Sequence, residues 1–391
     1  MRPQDESQIR YSILRDQNDN CVNNNEVAYN RDMRNLIGSL AAFMAIVLTV
    51  SALPAVAAQQ PIPVRVVVVA MFEVGEDTGD MPGELQYWVE RDHLDRVFPL
   101  PAGYHSIRMN GEGEMAVLTG QGTAHAAATI MALGLDPRFD LTHAYWIIAG
   151  IAGGSPDRVS LGSAAWARWV VDGDLGYEID PREMPGEWST GYIPLRKTHP
   201  FEKPAAPLDG QVFKLNAGLA EWAYNLTRAI PLADSDQLKS IRPRFDGAAS
   251  QLPPAVIMGD EVAGSTYWHG KLSDAWATEW MSYFTGSDGK FATTAMEDTG
   301  TLQSLEYLSR AGRVDKNRVM VLRTVSNFDR QPRDMDAASS LASQRIGTYS
   351  AYIPSLEAAY AVGHTVVSEL LTQWPRYANA TVGKDQFLPA P

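Results

Sequence analysis

Between Val64 and Met71 the chain reads Val-Arg-Val-Val-Val-Val-Ala-Met, with β-branched residues at consecutive rather than alternate positions. Successive side chains of a strand point to opposite faces, so this run has no face suited to water and must be covered on both sides. That requirement predicts a central strand of an α/β sheet with helices above and below. Met115 to Thr119 gives a second strand that runs into Gly120-Gln121-Gly122, after which Thr123 is expected to cap an Ala-rich helix. Tyr145 to Ala149 reads as a third strand, ending in the turn Gly150-Ile151-Ala152-Gly153-Gly154. Ala255 to Met258, Phe291 to Met296 and Arg318 to Arg323 are further strand-like runs, and amphipathic helices are expected near 213–229, 271–284, 298–311 and 350–373. The proline-rich stretch 180–210 reads as an ordered excursion over the surface, and 330–346 as a polar, mobile connection. The class is α/β with a mixed central sheet. Glycines at its strand ends mark where open sheets of this kind place ligands.

Of the 391 residues 45% are hydrophobic, enough for a sizeable core in one large domain. A formal net charge of -13 argues against nucleic acid as a partner, since phosphates need a clustered basic surface. Residues 36–53 form an apolar run, with Arg31 and Arg34 before it and Pro54 and Ala55-Val56-Ala57-Ala58 after it. This order reads as a secretory signal peptide covering residues 1–58, which leaves 59–391 as a single periplasmic or secreted domain. Met33-Arg34-Asn35 would begin a leader of ordinary length, making 1–32 an over-extended start. At about 1.5 Å per helical residue the run could also just cross a bilayer as an uncleaved anchor. The single cysteine, Cys21, falls in the leader, so the mature chain has no disulfide and no thiol nucleophile. The seven histidines show no metal-ligand spacing, and no metal or other cofactor is expected.

Several blocks together carry a resemblance. They are the first strand, the Gly120-Gln121-Gly122 turn, Ala149 to Gly154, and Met296-Glu297 followed by a strand ending in Ser326-Asn327. In this order they resemble the nucleoside phosphorylase and nucleosidase superfamily. More narrowly, Tyr177-Glu178-Ile179-Asp180, Arg182-Glu183-Met184-Pro185, Trp188 to Leu195 and Thr266-Tyr267-Trp268-His269-Gly270 resemble the purine nucleoside permease family. The resemblance covers roughly residues 62–375 and implies a nucleoside phosphorylase-like three-layer fold, with a mixed central β-sheet flanked by helices. It also implies a homo-oligomer that binds a purine nucleoside. Two functions stay open: cleavage of the N-glycosidic bond, by water or by phosphate as co-substrate, and non-catalytic binding for uptake with a separate membrane partner.

The resemblance gives Glu297 to the ribose diol, where one carboxylate accepts both hydroxyl hydrogens, with Met296 as an apolar face beneath the sugar. From chemistry alone Glu297 reads rather as a solvated acid in a first helical turn, and it is the resemblance that turns it to the ribose. Asn327, beside Ser326, stands where many relatives carry Asp. Its amide can hydrogen-bond purine N7 but cannot protonate it, so it either stabilises the leaving base or marks lost catalysis. Asp329 offers a nearby carboxylate or merely caps a loop. Gly150, Ala152 and Gly153 would bring backbone close to the ligand, and Tyr267 and Trp268 would stack on the base or fill core. His269 is a contact or a structural histidine. Where phosphorylases offer Arg and a hydroxyl to phosphate this chain has Ile148 and Ile151, which favours water or binding alone. A base for water would then be Glu73 or Glu76. Export predicts that N-terminal sequencing of the secreted protein starts near Ala58 or Gln59, whereas recovery of an intact membrane-bound chain would contradict it.

Overall fold

In the computed structural model, which describes residues 60–203 and 206–383, the Val-dense run is β1 (Val66–Ala70), buried at all five positions. The segment read as a leader lies outside the described residues. β1 pairs in parallel with β2 (Glu114–Leu118) on one side and β3 (Tyr145–Gly154) on the other. The sheet continues through β4 (Ala164–Trp166), β5 (Trp169–Asp172), β6 (Asp260–Ala263), β7 (Phe291–Ala295) and β8 (Val319–Phe328). β8 lies parallel to β3 and antiparallel to β4, and β7 meets the end of β3 antiparallel, so the sheet is mixed.

Consecutive strand residues feed different layers. Val67, Val69 and Val321 pack with Ile130 and Leu133 of α2 (Thr123–Leu135) and with Leu302, Leu305 and Leu308 of α5 (Asp298–Arg310). Val66, Val68 and Leu322 pack on the other face, against Trp88 of α1 (Gln86–Arg91), Leu219 of α3 (Ala217–Thr227), and Val362 and Val366 of α7 (Tyr352–Thr372). α4 (Lys271–Thr285) lays Trp276 and Trp280 over Val171 and Val262 of the β5–β6 region. The three-layer α/β arrangement follows from strands with two apolar faces.

Two expectations are corrected. Gly150–Gly154 is not a turn: it continues β3, pairing with Arg323–Val325 and, after a register shift, with Asn327 and Phe328. Its glycines answer crowding instead, since a Cβ at Gly150 would overlap the Met71 side chain and one at Gly154 would press on Val325. The polar segment 330–346 contains a short helix, α6 (Ala337–Ala342), capped by Asp336 accepting from the Ser339 N–H.

α2 and α5 approach closely because residue 300 has no side chain: a Cβ there would overlap the Thr123 carbonyl oxygen. Both helix starts border the site described next. Gly300→Ala is therefore expected to destabilise the fold by about 1–3 kcal/mol, as overpacking does, read as a lower urea midpoint at unchanged slope.

Candidate active site

The carboxyl ends of β1, β3, β7 and β8 converge on a cavity of about 260 Å³. Its walls include Ala152, Gly153, Tyr267, Trp268, Met296, Glu297, Ser326, Asn327 and Asp329, so most of the expected residues meet in one place. A register shift on β8 contributes to this. Val325 pairs with Ala152 but Asn327 with Gly153, so Ser326 is the extra residue of a bulge. A regular strand would send Ser326 and Asn327 to opposite faces, and the bulge lets both reach the cavity.

At one end Glu297 stands at the start of α5, 5% exposed rather than solvated. Its Oε1 accepts from the Gly122 N–H at 3.3 Å, and its Oε2 from the Met296 N–H at 3.2 Å and from Arg323 Nη2 at 3.3 Å. Arg323, buried on β8, also donates to both oxygens of Asp298 and to the Ile151 carbonyl, and lies 3.8 Å from Glu261. Burial raises the Glu297 carboxyl, with the Arg323 charge opposing it.

At the other end Asn327 takes its orientation from Ser326, whose Oγ donates to Asn327 Oδ1 at 2.8 Å. That leaves Nδ2 to donate to the Tyr267 hydroxyl and to Gln344 Oε1, each at 3.1 Å, and to the Phe328 carbonyl at 3.2 Å. Asp329 lines the wall close by. Burial, and then the neighbouring Asp274, push its carboxyl well above the usual range and favour the neutral acid.

Four expectations fail on geometry. Gly150 is outside the cavity wall, and its missing side chain makes room for Met71, Glu84 and Arg323. His269 is also outside it: Nε2 meets Ser340 Oγ at 2.9 Å, and burial lowers its pKa to about 4, leaving a neutral ring that ties the β6–α4 connection to α6. Glu73 accepts N–H groups from Val74, Gly83, Leu85 and Gln86, so it anchors the loop before α1 and is no base for water. Glu76 is exposed.

The acid that sequence reasoning missed is Glu84. It lines the cavity, and its two oxygens accept from the Met71 N–H at 2.8 Å and the Ile151 N–H at 2.7 Å, joining the ends of β1 and β3. Burial pushes its pKa up to about 8 against the opposing charge of Arg323. No local signal marks it, because the loop from Phe72 to Gly83 must first turn back over the strand end. Ile148 is buried in β3 and Ile151 lines the wall. Among the described residues the lining holds three carboxyl groups and no Lys, Arg or His.

The model of the family described as purine nucleoside permease matches residues 63–382. The chain belongs to that family. A Schizosaccharomyces pombe protein bearing the purine nucleoside permease name is 29% identical over 293 residues, which is 72% of this chain and 81% of that protein. The purine nucleoside permease of Candida albicans is 29% identical over 264 residues, and the permease-family chain spans 64% of its length. Among solved structures, the 5'-methylthioadenosine/S-adenosylhomocysteine nucleosidase of Neisseria meningitidis is similar at 16% identity and a TM-score of 0.43, covering 77% of this chain and 98% of that one. Futalosine hydrolase of Helicobacter pylori is similar at 14% identity and a TM-score of 0.45, covering 78% and 99%.

Glu84 also predicts a pH dependence of stability. Its folded pKa lies above its unfolded value, so it favours folding at low pH and that contribution is lost as pH rises through about 8. Glu84→Gln should therefore lose less stability than wild type between pH 6 and pH 9, measured by thermal melts. Parallel curves for the two proteins would show that Glu84 is not buried as an acid.

Proposed function

We propose that this permease-family protein binds a purine ribonucleoside in the cavity and cleaves its N-glycosidic bond with water. The observation that carries this reading is the make-up of the lining among the described residues: three acids, Glu84, Glu297 and Asp329, and no cationic side chain to hold a phosphate. Such a wall offers a phosphate dianion no counter-charge, and its acids, once ionised, favour the cationic, oxocarbenium-like sugar that forms as the bond to the base breaks. Glu297 accepts the ribose hydroxyls, and Met296 underlies the sugar. Ionised Glu84 takes a proton from water as its oxygen bonds to the anomeric carbon. The electron pair of the breaking bond leaves with the base, held by the Asn327 amide, and Asp329 in its neutral form is the proton source on that side. Tyr267 and Trp268 flank the base. Export is taken as the protein's setting, as the N-terminal apolar run implies.

The family name favours a second reading, a binder that serves uptake beside a separate membrane partner. Among the described residues no helix is long and apolar enough to cross a membrane. Incubation with inosine and with adenosine, each with and without phosphate, separates the readings. Hydrolysis yields free base and ribose in both conditions, phosphorolysis yields ribose 1-phosphate, and a binder yields neither. Turnover should climb with pH through about 8 as Glu84 ionises. Glu84→Gln should lower kcat on the order of 10²-fold or more and flatten that climb. Asn327→Ala should cost about 10²-fold in kcat with little change in KM.

A further inference from the structure

The Asn327 amide is already saturated by partners within the protein. Two Nδ2 hydrogens serve three acceptors: the Tyr267 hydroxyl, the Phe328 carbonyl and Gln344 Oε1. The Tyr267 hydroxyl in turn donates to the same Gln344 oxygen at 2.6 Å. One side-chain carbonyl thus collects both donors that face the base end. A purine can use those donors only after something leaves. Phe328 is fixed backbone in β8 and Tyr267 belongs to the cavity wall, whereas Gln344 extends from the connection after α6, half-buried. Its other hydrogen bond, Nε2 to the Phe328 carbonyl, is long at 3.5 Å.

There is room for Gln344 to move. A second cavity of about 130 Å³ lies behind the first, sharing Asn327 and Tyr349 as walls, and Gln344 lines it together with Ser340, Ser343 and Thr348. These hydroxyl-bearing residues can receive a displaced amide. We propose that Gln344 is a built-in competitor for the base: from the wall of the second cavity its carbonyl oxygen takes the donors that a purine acceptor would use, and ligand entry breaks those bonds and moves the side chain deeper into that cavity. The inference rests on the reading that the cavity takes a purine. It names Gln344 as a positioning residue that sets affinity by occupying Asn327 and Tyr267. Two donors converging on one acceptor suit a base whose neighbouring edge atoms both accept, as N7 and O6 of a 6-oxopurine do. Hypoxanthine is the corresponding probe.

The apparent affinity of a site occupied by its own side chain is the intrinsic affinity multiplied by the fraction of molecules in which that side chain is out of the way. Gln344→Ala should therefore tighten hypoxanthine binding roughly five-fold or more by calorimetry, the size of a lost competing hydrogen bond. Gln344→Met, which keeps the length but not the acceptor, should do the same and carries the test if the alanine variant fails to fold. In an Asn327→Ala background the Gln344 substitution should have a smaller effect, the part that acts through Tyr267. Weaker or unchanged binding in either folded Gln344 variant overturns the proposal, weaker binding meaning that Gln344 holds the base directly. If hypoxanthine binding tightens as expected but inosine is never cleaved, the competitor stands and the hydrolytic reading falls. If neither wild type nor variants bind hypoxanthine, both fall.

Discussion

The guanidinium of Arg323 is the junction on which the site depends. It is 1% exposed and joins β8 to both oxygens of Asp298 at the start of α5, to Glu297, to Glu261 on β6 and to the Ile151 carbonyl of β3. A buried charge is tolerable only when paired and hydrogen-bonded, and here one cation answers several carboxylates. Burial and the nearby Asp298 raise Glu261 well above the usual carboxyl range, so the cluster balances itself by retaining protons. Replacing Arg323 would leave acids without their counter-charge in the centre of the fold. Such a cluster fixes the position of Glu297 more firmly than packing alone would.

The same junction explains the character of the cavity. Arg323 is a cation beside the carboxylate end, and its donors are taken up by carboxylates and a backbone carbonyl rather than directed at a ligand. What reaches the cavity is acid: Glu84 and Glu297 on one side, Asp329 on the other. The two ends then divide the chemistry. One end carries the carboxyl groups of Glu84 and Glu297, and the other an oriented amide and a phenol, Asn327 and Tyr267, tied to Gln344.

Much of this was legible in the chain. Consecutive β-branched residues in Val64–Met71 can only be satisfied by cover on both faces, which fixed the class and placed β1 at the centre. Met296-Glu297 and Ser326-Asn327 sit at strand ends where open α/β sheets gather ligands, and they do meet in one cavity. The Gly150–Gly154 turn was misread because glycine signals both turns and close approach, and periodicity does not separate the two.

The amino-acid sequence by itself determined the layers, the central strand and the residues carried at strand ends, because these follow from local alternation and from burial of apolar side chains. Only the tertiary structure decided which acid faces the cavity. Glu73, Glu76 and Glu84 share one loop and look alike in sequence. The fold spends the first on backbone N–H groups before α1, leaves the second in water, and turns the third inward between two strand ends. Tertiary structure likewise brought Gln344 to Asn327 across 17 positions of sequence. Such pairings depend on the return path of a connection, which neither residue type nor spacing encodes.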